Sequence, residues 1–120
     1  MSPGALAGLR VLDLSQVLAG PFCTQMLADH GAEVIKIEPP EGDPARRFAP
    51  FRPDDAERAF GGYFQSINRG KKSVVLDLKA AADRESFLRL VDTADVLVEN
   101  YRAGVMERLG LGYETLAARN

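Results

Sequence analysis

"LRVLDLSQVLAGPFCTQMLADHGAEVIKIEPP", residues 9–40, sets two short apolar runs on either side of a helix-length stretch. Residues 9–14 are rich in branched apolar side chains and too short for a helix, which predicts a buried strand. Pro21 suits the first turn of a helix, where its missing N–H would be unbonded in any case. Phe22, Met26, Leu27 and His30 then recur on one face at helical spacing. Gly31 predicts a left-handed stop, with His30 beside it as a partner for the last carbonyls. Residues 33–38 alternate in polarity before Pro39 and Pro40, whose rings end strand pairing. The segment therefore spells strand, helix, strand.

Outward from it, residues 39–62 carry Pro39, Pro40, Pro44, Pro50 and Pro53, three glycines and many charges. That composition predicts a long irregular excursion, and excursions of this length inside a domain are often functional. Residues 72–78 read as a third strand, 80–94 as a helix with Phe87, Leu88 and Val91 inward, and 95–100 as a fourth strand. "AGVMERLG" and "GYETLAAR" read as two short helices. Strands that alternate with helices predict a parallel sheet, because parallel neighbours need crossovers and helices supply them. The expected fold is α/β: a Rossmann-like parallel sheet with helices on both faces, formed by residues 1–120 as one unit. Ligands of such sheets bind beyond the carboxyl ends of the strands. Chemistry is therefore expected at residues 15–21, 38–48, 78–80 and 99–104.

Composition narrows the partners. A formal charge of -2, from 15 basic and 17 acidic side chains, gives no basic field for nucleic acid. No run reaches the roughly 18 apolar residues of a membrane span, and the first ten residues lack a secretion signal's apolar region, so a cytoplasmic setting without membrane contact is expected. Cys23, the single cysteine, has no second thiol for a disulfide or a shared metal and reads as a core filler. No Ser-His-Asp set, metal cluster or phosphate-binding G-x-x-x-x-G-K-S/T loop can be assembled, and no metal is expected.

Each corner admits two readings. "SQVLAGPF" offers backbone amides and a helix N-terminus to an anion, or is a plain turn in which Gly20 permits close packing. Glu38 ends the second strand where dinucleotide-binding folds place a ribose-holding acid. The missing G-x-G-x-x-G and the bulky Val17 and Leu18 count against that role. In "NRGKKS", Arg69, Lys71 and Lys72 could hold phosphates, but Lys71 and Lys72 fit a solvated charged face better, whereas Lys79 sits at a strand's carboxyl end. Asn100 could read a base edge with Tyr101 stacked on it, or could cap its own turn. Arg108 is a phosphate partner or a surface ion-pair member. Asp54 and Asp55 read as solvated loop carboxylates.

Four stretches in order, "GLRVLDLSQVLAGPF", "LADHGAEVIKIEPPEGDPAR", "NRGKKSVVLDLK" and "ADVLVENYRAGVMERLGLGYETL", together resemble the start of the class III coenzyme A transferases, the CaiB/BaiF family. The resemblance implies that Val17, Leu18, Ala19 and Gly20 line a coenzyme A site. It also implies that Leu76, Lys79, Asn100, Tyr101 and Arg108 contact the adenosine and its phosphates, with Arg46 a weaker candidate. Coenzyme A would enter and leave as the thioester. The implied activity moves it from an acyl-CoA donor to a carboxylic acid acceptor through an aspartyl intermediate.

The nucleophilic aspartate of the family follows the matching stretch, so Asp13, Asp29, Asp43 and Asp77 are not assigned that role. The chain would then be the N-terminal, coenzyme A-binding portion of a longer protein, inactive alone, whose full-length form is a homodimer. The α-methylacyl-CoA racemases share these motifs and remain an alternative, as does a non-catalytic nucleotide-binding module. Leu18 and Pro39 stand where the formyl-CoA transferase branch has glutamine and arginine, which argues against an oxalate-specific enzyme.

Overall fold

The computed structural model describes residues 2–120. Strand β1 (Arg10–Asp13) leads through the first corner into α1 (Ala19–Asp29), and β2 (Glu33–Glu38) follows. A 3-10 turn at Pro44–Arg47 and helix α2 (Gly62–Ile67) interrupt the excursion. Then come β3 (Lys72–Val75), α3 (Ala81–Val91), β4 (Val96–Val98), α4 (Val105–Arg108) and α5 (Tyr113–Arg119).

All four strands are parallel, in the order β3-β2-β1-β4. Arg10 pairs with Glu33, Val11 with Val96, and Glu38 with Val75, so the carboxyl ends form one common rim. The expected α/β sheet is present. The third and fourth strands are shorter than their sequence suggests. β3 pairs only with β2; the Leu76 N–H reaches the Glu38 carbonyl at 2.9 Å as the last rung, because the next β2 donor facing β3 would be residue 40, a proline without an N–H.

Leu12, Leu14, Ile35 and Ile37 point to one face, where Phe87 and Val91 of α3, Met106 of α4 and Leu111 cover them. Val11, Ala32 and Val34 pack on the other face with Leu27 and Ala28 of α1 and with Leu6. Helices thus cover both faces, as parallel sheets require.

Helix α1 departs from its expected orientation. Its buried residues are Gly20, Pro21, Thr24 and Gln25, while Phe22 is 49% and Met26 45% exposed. Small and polar side chains face the sheet because the surface beneath them is charged, as described below. Leu18, Phe22 and Met26 consequently form an apolar stripe on the outside. Cys23 also faces outward and is not a core filler. Gly31 does take the expected left-handed conformation, with φ 104°. Helix α2 was not expected, although Phe64 and Ile67, three residues apart and both buried, carry a helical signal.

Candidate functional site

The first corner is clamped by side chains from distant parts of the chain. Gln16 donates its N–H to Asn100 Oδ1 and accepts at its carbonyl from Asn100 Nδ2, both at 2.9 Å. Asn100 therefore does not cap its own turn. Instead it joins the β4 corner to the β1 corner. Gly20 lies under the same contact: a Cβ there would sit 2.2 Å from Ser15 Cβ and 3.5 Å from Asn100 Cγ. Only glycine permits that approach.

Val17, which follows Gln16, has φ 71°, a left-handed conformation that a β-branched side chain strongly disfavours. Leu18 caps α1 without a side-chain acceptor, so the first-turn N–H groups remain available to an anion. Val17, Leu18 and Ala19 are exposed.

Beneath α1 the alternation of β1 and β2 places Asp13 and Ser15, then Lys36 and Glu38, on the buried face. Asp13 accepts from the Ser15 N–H at 2.9 Å, from the Ser15 hydroxyl, from Thr24 Oγ1 at 2.6 Å and from Lys71 Nζ at 2.9 Å. Burial opposes ionisation of Asp13, but the Ser15 and Thr24 hydroxyls and the Lys71 charge outweigh it and hold its pKa below the ordinary carboxylate value.

The Lys71 side chain is 2% exposed, which overturns its reading as a solvated lysine; Lys72 beside it is 71% exposed. Burial lowers the pKa of Lys71, and the Asp13 carboxylate opposes that fall. Its Nζ donates to Asp13, to the Pro21 carbonyl and to Asn68 Oδ1, and three acceptors need the three N–H bonds of an ammonium. The pair is therefore charged.

A second buried pair lies next to the first. Lys36 Nζ donates to the Ser15 carbonyl and stands 2.9 Å from Asp43 Oδ2, although no donor is aligned on that oxygen for a hydrogen bond. Asp43 Oδ1 accepts from the N–H groups of Ala45 at 2.9 Å and of Val17 at 3.3 Å. Glu38 is 2% exposed and saturated: Arg46 forks onto both its oxygens at 2.7 Å, the Asp43 N–H adds 2.9 Å, and the Ser73 hydroxyl completes the set. Burial pushes the Glu38 pKa up, but these donors bring it down to about 2.

Glu38 consequently has no oxygen free for a ribose, which removes the dinucleotide role. Arg46 forks onto Glu38 and lies 4.0 Å over the Phe64 ring, so much of its guanidinium is engaged within the chain. The sequence reading missed this network as a site feature.

Of the resemblance-implied residues, the structure brings Val17, Leu18, Ala19, Gly20 and Asn100 together. Leu76 and Lys79 follow β3 on the same rim, with β2 between them and the first corner. Leu76 and Tyr101 are half-buried against the core. Burial, then Glu99, raises the Tyr101 pKa. Lys79 and Arg108 are exposed, and among the described residues neither has a carboxylate partner. The surface ion pair that was the alternative for Arg108 does not form among the described residues. A cavity of about 480 Å³ opens between β4, α4 and α5; of the resemblance-implied residues only Tyr101 lines it. No group of three or more potential metal ligands occurs among the described residues, nor any helix long and apolar enough to cross a membrane.

A strand-to-helix corner at the carboxyl rim of a parallel sheet is shared by many nucleotide-binding proteins, and comparison with known proteins decides among them. Residues 6–120 match CoA-transferase family III. The chain belongs to that family.

Over 98% of its length it is 61% identical to succinyl-CoA:mesaconate CoA-transferase of Haloarcula hispanica, and it covers 30% of that relative. It is 52% identical, again over 98% of its length, to acetyl-CoA:oxalate CoA-transferase of Acetobacter aceti, covering 29% of it. A crystal structure of Rv3272 from Mycobacterium tuberculosis superposes with a TM-score of 0.91 at 47% identity, over 100% of this chain and 33% of that one. A CaiB/BaiF family protein from Brucella suis gives 0.92 at 43%, over 99% and 32%. The family III chain thus spans about 30% of the curated relatives' length.

Proposed function

We propose that this chain forms the coenzyme A-binding portion of a family III CoA-transferase that moves coenzyme A from an acyl-CoA to a carboxylic acid. The family match over residues 6–120 carries this reading, and the rim geometry supports it. The first corner takes the coenzyme through the α1 N-terminus and the Val17–Gly20 backbone. Lys79 and Arg108 supply cations for its phosphates, and Leu76 and Tyr101 supply apolar surface for the adenosine.

The acyl-accepting carboxylate comes from sequence beyond these residues. Asp13 and Asp43 are fully buried and engaged, Asp29 forks with Arg69, and Asp77 accepts the Lys79 N–H. Burial closes Asp13 and Asp43 to a thioester, and Arg69 holds Asp29. The Haloarcula hispanica and Acetobacter aceti relatives carry names that differ in donor and acceptor, so the proposal extends to the class of carboxylic acids and to no single member of it. A homodimer in a cytoplasmic setting completes the proposal, and the exposed Leu18, Phe22 and Met26 stripe is compatible with it.

Calorimetric titration of the folded chain with coenzyme A and with NAD is the test. Saturable binding of coenzyme A is expected, and binding of NAD alone would overturn the reading. Lys79→Ala is expected to weaken coenzyme A by about 1.5–3 kcal/mol, the scale of a bond to a charged group, with stability unchanged. Among the described residues its exposed ammonium makes no bond.

A further inference from the structure

We infer that Asp43, a residue of the irregular excursion, holds Val17 in its left-handed conformation and thereby shapes the coenzyme corner without touching the coenzyme. The inference rests on the coenzyme A reading above. Among the described non-glycine residues only Val17 and Arg58 have positive φ, and Val17 alone of the two is β-branched. A conformation so disfavoured persists only where the surroundings enforce it.

Four consecutive backbone groups of the corner are each bonded to a side chain of another element. Lys36 of β2 holds the Ser15 carbonyl, Asn100 holds the Gln16 N–H and carbonyl, and Asp43 holds the Val17 N–H. Of the three side chains, Asp43 is the one bonded to the strained residue's own N–H, at 3.3 Å, while Asn100 holds the carbonyl end of the same peptide plane. Its carboxylate is fully buried and set in place by Lys36 on one oxygen and the Ala45 N–H on the other. The contact spans 26 residues, joining the 3-10 turn to the corner.

Release of Val17 to negative φ would re-aim the N–H groups of residues 18–20, which open α1. Asp43 is therefore a positioning residue for the anion site, and the irregular excursion is part of the binding apparatus.

A double-mutant cycle tests this, with coenzyme A affinity measured by calorimetry on chains whose folding is verified by circular dichroism. Asp43→Ala is expected to weaken binding about tenfold in the natural background. In the Val17→Gly background it should weaken binding less than threefold, because glycine takes positive φ without help. Equal losses in both backgrounds overturn the inference, since a purely structural Asp43 would act regardless of residue 17.

Asp43→Ala leaves Lys36 buried without a counter-charge, so Asp43→Ala combined with Lys36→Met is run in parallel with the same expectation. In the unsubstituted chain the Val17 amide should exchange with solvent at least tenfold slower than an unstructured valine; exchange at the unstructured rate overturns the inference with no variant needed. If the natural chain fails to bind coenzyme A, the proposed function falls and the Val17 exchange alone decides the role of Asp43.

Discussion

Lys71→Met and Lys72→Met, substitutions at adjacent positions of like chemistry, are expected to differ in cost by about 3–4 kcal/mol. Loss of the Lys71 ammonium removes bonds to Asp13, the Pro21 carbonyl and Asn68, and leaves the Asp13 carboxylate fully buried without its cation. Breaking a buried ion pair from one side typically costs about 3–5 kcal/mol. Lys72 reaches only Glu33, both in solvent, and such pairs contribute about 0.2–1 kcal/mol. At about 2.1 cal/mol/K per residue, 120 residues give an unfolding entropy of about 0.25 kcal/mol/K, so Lys71→Met should lower Tm by about 12–20 °C.

Urea unfolding followed by circular dichroism measures both variants. The pH dependence identifies the cause. Natural Asp13 has a depressed pKa, so its contribution is complete above 3.8 and is lost as pH falls below that value. Without Lys71, only the Ser15 and Thr24 hydroxyls oppose burial, so the Asp13 pKa lies higher than in the natural chain, and the penalty is largest near neutrality and fades on acidification. The gap between the natural chain and Lys71→Met should therefore narrow from pH 7 towards pH 4. A Lys71→Met variant within 1 kcal/mol of Lys72→Met at pH 7 would refute the buried-pair argument.

Three further outcomes are expected. The fall of the Glu38 pKa from 4.5 to about 2 corresponds to about 3 kcal/mol of stability, present above pH 4.5 and lost as pH drops from 4.5 towards 2. Glu38→Gln should flatten that acid limb in urea titrations across pH, and an unchanged limb would exclude Glu38 as its source. Gly20→Ala places a methyl group against Ser15, which also holds Asp13; a loss of about 1–3 kcal/mol in unfolding and a weaker coenzyme A titration are expected, and a neutral variant would contradict the packing. Cys23 should react with a thiol reagent in the folded chain at nearly its unfolded rate, and strong protection would restore its reading as a core residue.

The alternation of strands and helices was legible because it is carried by local signals: short apolar runs, Pro21 at a helix start, Gly31 at its end and the Pro39-Pro40 stop. Since parallel strands need helical crossovers, those signals also placed the binding corners on one rim without any tertiary information. The four ordered motifs named the family. The last rungs of β3 and β4 were not legible, since a strand's length depends on the neighbour it finds. Pro40, which lacks the next N–H that β2 would offer β3, sets the limit of β3.

Charged residues divide along the same line. Sequence established that Asp13, Lys36, Glu38, Lys71 and Lys72 carry charge, but the alternation Val11, Asp13, Ser15 and Val34, Lys36, Glu38 reads equally well as a sheet face in water. Only the tertiary structure lays α1 over that face and brings Lys71 to Asp13 across 58 residues and Asn100 to Gln16 across 84. The free energy of a charge depends on its solvent and its partners, and the folded chain supplies both through contacts between residues far apart in sequence. For the same reason the polar side of α1 turned inward and its apolar stripe outward: the helix met a surface of carboxylates and ammonium groups that its own periodicity does not encode.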